Sequence, residues 1–183
     1  MHPQLQLLAD ELQFATARLH ALASATPDEK WSERAHPDRW SVGECIAHLN
    51  LTGAAYAPLL RDAVARAKAA GLRDAGRRYR RDLMGWLLWK MLPPPVRFRV
   101  RTPAEFIPQG GSPKAATVAE FTRLQQVFLD LLAEADGLPM KEIKVASPFN
   151  TKMHYDLYSC FSVLAPHEHR HLWQAEQVWR VGA

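Results

Sequence analysis

Leu5, Leu8, Leu12, Ala15 and Leu19 recur at steps of three and four residues, the spacing that lines one face of an α-helix. This stripe predicts a helix over residues 4–23. The same period returns three times. After "TPDEKW" breaks the first pattern, Ser41 and Glu44 form a capping-box sequence, and a second helix follows through Ile46, Leu49 and Ala54 towards residue 70. Pro58 falls inside it and marks a kink, because proline removes a ladder hydrogen bond. Val118, Phe121, Leu124, Val127, Phe128 and Leu131 stripe a third helix over 114–135. A fourth spans 155–180, with Pro166 as a kink or a fresh start, and a polar loop precedes it after the Gly137–Pro139 break.

Only "VRFRV" (96–100) alternates as a strand would, and nothing else in the chain offers it a partner, so it reads as irregular. Four helices without a sheet predict an all-α four-helix bundle. Residues 71–113 make a long irregular, partly helical connection between the second and third helices. Short connections force antiparallel neighbours, whereas a connection of that length lets these two run parallel, giving an up-down-down-up order. The length of 183 residues suits a single domain, 1–183.

With 48% hydrophobic residues and charges of both signs, the chain has the means to bury a core, which excludes disorder. "MHPQLQLLADEL" lacks the basic and then apolar layout of a signal peptide, and no apolar run reaches the roughly 18 residues a membrane span needs. Two cysteines make no disulfide framework. A soluble, cytoplasmic protein is expected. The net charge of +4 is uneven: residues 61–101 carry twelve Lys/Arg against three acids, so that segment is +9 and the remainder −5. Its core is "RRYRR", with Arg77, Arg78, Arg80 and Arg81, either a patch for an anionic cofactor or a solvated basic connection. Nucleic acid is disfavoured as a partner, since no reading motif is present and the arginines fall in a loop. The apolar piece Trp86 to Leu92 reads as a lid, a dimer surface or a weak membrane-surface contact, core or dimer packing being the plainest of these.

"PHEHRHLWQ" (166–174) sets three histidines at alternate positions. Successive helical residues turn by ~100°, so His167 and His171 lie ~40° apart on one face, while His169 points to the other side at ~200°. A metal site and a polar helix face both fit this pair. His48, one turn after Glu44 on the second helix, is the partner candidate, its alternative being a hydrogen-bonded core histidine. Three neutral imidazoles from two helices would form an open site, with water or substrate completing it. Glu44 is either the capping partner of Ser41, or an acceptor for a histidine N–H or general base. Glu168, ~100° round from His167, reads as a surface ion pair. Cys45 and Cys160 read as small buried hydrophobes rather than ligands.

"WSVGECIAHL" (40–49) and "APHEHRHLWQAEQ" (165–177) resemble the two motifs of the DinB-like superfamily of metalloenzymes, and "RTPAEFIPQ" (101–109) resembles a segment of its larger subgroup. The resemblance covers nearly the whole chain. It implies an up-down-down-up bundle, often a homodimer, with a divalent metal such as zinc or nickel on His48, His167 and His171. It further implies small-molecule chemistry: S-transfer with a low-molecular-weight thiol, or hydrolysis. In the transferase reading the basic segment helps to hold the anionic thiol. A non-catalytic metal-binding or stress-related binding protein is the alternative.

Overall fold

The computed structural model describes residues 1–74, 78–95 and 101–182, the side chains of 181 and 182 excepted. Over these residues the protein is mostly helical with one small two-stranded sheet. Helix α1 (Pro3–Ala25) buries the predicted stripe, from Leu5 to Leu19 and on to Leu22. Its proline stands in the first turn, where a missing N–H costs nothing. A single turn, α2 (Asp28–Trp31), seats Trp31 in the core.

Helix α3 (Val42–Ala69) opens on the capping box that its sequence announces. The Glu44 N–H donates to Ser41 Oγ at 3.1 Å, and the Ser41 N–H donates to the Glu44 carboxylate at 2.8 Å. Pro58 lies inside α3 without ending it. Within 71–113, α4 (Leu83–Met91) and a 3₁₀ turn (Ala104–Phe106) are helical; "VRFRV" lies outside the described residues.

Helix α5 (Lys114–Glu134) is followed by a structure that the sequence did not announce. Where a polar loop is expected, β1 (Lys144–Ser147) and β2 (Asn150–Asp156) pair antiparallel, Val145 opposite Tyr155, with an irregularity between Ala146 and Ser147. Helix α6 (Leu157–Gly182) runs through Pro166 unbroken, so that proline starts no new helix. Asp156 caps α6 by accepting the Ser159 N–H at 2.6 Å.

Helices α1 and α3 each pack against both α5 and α6, while α4 lies on α6 and β2. The buried apolar residues among those described fall into two clusters. On α6 the first ends at Ala165 and the second resumes at Leu172; on α3 the second ends at Leu49 and the first starts at Tyr56. Between them lies a buried polar layer containing His48, Thr52, Gln125, Glu168 and His171. This layer holds the site.

Candidate metal centre

His48 projects from the second turn of α3, and His167 and His171 from successive turns of α6. One nitrogen from each ring lies within 4.8 Å of the other two. Ring centroids are 4.4 Å apart for His48 and His171, 4.7 Å for His167 and His171, and 5.4 Å for His48 and His167. His48 and His171 are buried and His167 is half-buried. Among the described residues no further histidine, cysteine or carboxylate joins the group.

Nδ1 of His48 meets the Phe106 carbonyl at 2.8 Å. A carbonyl only accepts, so this bond fixes the proton on Nδ1 and leaves the Nε2 lone pair available. Nδ1 of His171 is buried without a hydrogen-bond partner. Burial disfavours the imidazolium in all three rings. It pushes His167 down to about 3, with the positive charges of His48 and Arg170 adding to the effect. His171 is held well below the ordinary histidine range by burial and then by its two histidine neighbours. His48 is lowered by burial, against an opposing pull from the Phe106 carbonyl. All three rings are therefore neutral at neutral pH, the form that binds metal. The set fits a divalent ion on two counts: its donors are neutral imidazoles that converge, and one buried nitrogen has no other partner.

Aromatic rings wall the group. Trp40 lies 4.9 Å from His48 and 6.0 Å from His171, and Phe149 lies 6.2 Å from His167 and 4.6 Å from Phe106. Trp40 leads into α3, Phe149 sits in the hairpin turn, and Phe106 in the 3₁₀ turn. Sequence periodicity misses Phe149 because no pattern surrounds it.

Of the two readings of Glu44, the structure shows the capping partner of Ser41. Its carboxylate binds the Arg34 guanidinium through both oxygens, with Nε to Oε2 at 2.8 Å, while also holding the α3 cap. The Arg34 hydrogen bond keeps it below the usual glutamate range. The N–H of His48 goes to Phe106 instead. Glu168 departs from expectation: it makes no surface ion pair but is buried, and loss of solvation pushes it up to about 8, against a pull from Gln125. His169 points away from the other two, as its spacing predicts, and meets α1, with Nδ1 2.9 Å from Arg18 and Nε2 2.9 Å from Glu11. Cys45 and Cys160 are free and buried, and burial pushes the Cys45 thiol up to about 12.

Arg78, Arg80 and Arg81 line an open cavity of about 420 Å³ with Gln4, Tyr79, Trp86 and Tyr158. Arg81 donates to Ser162 Oγ at 2.8 Å and stacks over Trp89 at 4.2 Å. Arg77 lies outside the described residues.

The class so defined is a mostly helical protein whose interior gathers three histidines able to hold a metal ion. A family model of the DinB superfamily matches residues 11–175, and the chain belongs to that superfamily. No curated protein and no solved structure matches it.

Proposed function

We propose that the chain is a single-domain metalloenzyme that uses His48, His167 and His171 to hold a divalent ion and acts on a small molecule by thiol-dependent transfer or by hydrolysis. The observation that carries this reading is the convergence of three neutral imidazoles, with no fourth protein donor among the described residues. Three protein donors leave a coordination position for substrate, as catalytic zinc sites do. A bound ion would act as a Lewis acid and lower the pKa of a thiol or water placed there. The chain's own residues supply orientation and shelter. The Phe106 carbonyl holds the His48 ring in one tautomer. Trp40 and Phe149 limit water around the rings. Glu44 keeps the segment bearing Arg34 against the start of α3.

The fold we infer is an up-down-down-up bundle. Asn50 donates to the Thr117 carbonyl and Lys68 pairs with Glu134, so contacts between α3 and α5 rise together along both helices. Glu11 with His169 and Arg18 with Glu176 rise together along α1 and α6. His20 with Thr122 and the Thr26 carbonyl with Lys114 run in opposite order along α1 and α5.

Elemental analysis of purified protein tests the site. The unsubstituted chain and His169→Ala should each carry about one ion per chain, while His48→Ala and His171→Ala carry essentially none. Equal metal content in all four would remove the site. Cobalt-loaded protein titrated with a low-molecular-weight thiol then separates the two chemistries: a sulfur-to-metal charge-transfer band supports transfer, and its absence favours hydrolysis.

A further inference from the structure

We propose that the outer face of α4, together with the arginine-lined cavity beside it, docks on an anionic lipid surface. Helix α4 is apolar but wears its apolar residues outward. Leu83 is 82% exposed, Trp86 44%, and Leu87 and Met91 43% each. The helix touches the rest of the protein through Gly85, whose close approach to Ser159 leaves no room for a side chain, and through Leu88 against the core. Its acidic cap, Asp82, is turned inward, accepting the N–H groups of Gly85 and Asp156 at 2.9 and 2.7 Å.

Charge selects the occupant. Arg78, Arg80 and Lys90 are exposed, and among the described residues none of them forms an ion pair. A second copy related by two-fold symmetry would set this basic rim against itself. An anionic bilayer answers both parts: lipid phosphates meet the arginines, and the acyl boundary takes the apolar face. The cavity lined by Arg78, Arg80, Arg81, Tyr79 and Trp86 adjoins that face through Trp86, so a headgroup seat and an apolar anchor are continuous. Tryptophan and basic residues at such a boundary suit its half-apolar, half-polar depth. At nine residues α4 is too short to cross a bilayer, so the proposed contact is with the surface.

Sedimentation of the purified chain with vesicles tests the proposal. Phosphatidylcholine vesicles containing about 30% phosphatidylserine should retain the protein, with retention falling as salt rises, and pure phosphatidylcholine should retain little. Neutralising Arg78→Gln and Arg80→Gln together should lower the partition coefficient about thirtyfold. Leu83→Asp with Leu87→Asp should abolish retention while circular dichroism stays unchanged, which separates lost docking from lost folding. Retention indifferent to lipid charge would overturn the proposal. So would a chain that ignores vesicles but changes from dimer to monomer with the two leucine substitutions, since a second copy would then own the face.

Discussion

Glu168 stands beside His167 in sequence yet has a different physical situation. Its carboxyl is buried with Oε2 unpartnered, and burial raises it from 4.5 to about 8. At neutral pH the native state holds a proton that the unfolded chain releases. The stability it confers is therefore fully present below pH 4.5 and is lost as pH rises through 8. Glu168→Gln keeps the shape and removes the titration. Matched near pH 4.5, the variant should become more stable than the parent by about 3 kcal/mol at pH 7, read by urea denaturation at both pH values. Parallel pH profiles would show that the buried carboxyl is solvated after all. Helical spacing identified His167 and His171 as one face and sent His169 to another. It misjudged Glu168 because ~100° of rotation reaches a second packed face when a helix has neighbours on two sides.

At the scale of elements, α4 depends on a missing side chain. A Cβ on Gly85 would fall 2.2 Å from Ser159 Cβ and 2.3 Å from its Oγ, far inside contact distance. That hydroxyl also accepts the Asp82 N–H at 2.9 Å, tying the cap of α4 to α6. Gly85→Ala should destabilise the protein by about 1–3 kcal/mol, overpacking outweighing alanine's better helix propensity. Urea titration measures the loss, and an unchanged midpoint would mean α4 is not seated on Ser159. The long helices were legible because each carries its stripe for twenty residues or more. The hairpin was not: β1 has four residues, and β2 buries only Tyr155 and Asp156 at its end. Its pairing comes from tertiary context, and no local period reports it. The apolar run of α4 was visible in sequence, but its direction was not, since composition does not say which face meets a neighbour. The run is not core: Gly85 and Leu88 face inward, while Leu83, Trp86, Leu87 and Met91 stand exposed.

Across the whole molecule, the polar layer between the two apolar clusters is where α3 and α6 bring three histidines together. His48 and His167 are 119 residues apart (167 − 48) and belong to helices whose apolar contacts lie mostly above and below them. Without an ion, three desolvated imidazoles and an orphaned nitrogen occupy the interior, an arrangement that costs stability. With an ion, the native state gains a ligand that the unfolded chain lacks. The stabilisation then follows mass action, about 4 kcal/mol when free metal stands a thousandfold above its dissociation constant. Protein dialysed against chelator should therefore unfold at lower urea than the same protein reloaded with zinc. The slope of the transition should stay the same, because the surface exposed on unfolding does not change. His48→Ala should unfold at one midpoint whether or not zinc is added. A zinc-dependent midpoint in that variant would place the stabilising ion elsewhere on the chain, and the three histidines would then be a polar layer of the bundle and nothing more.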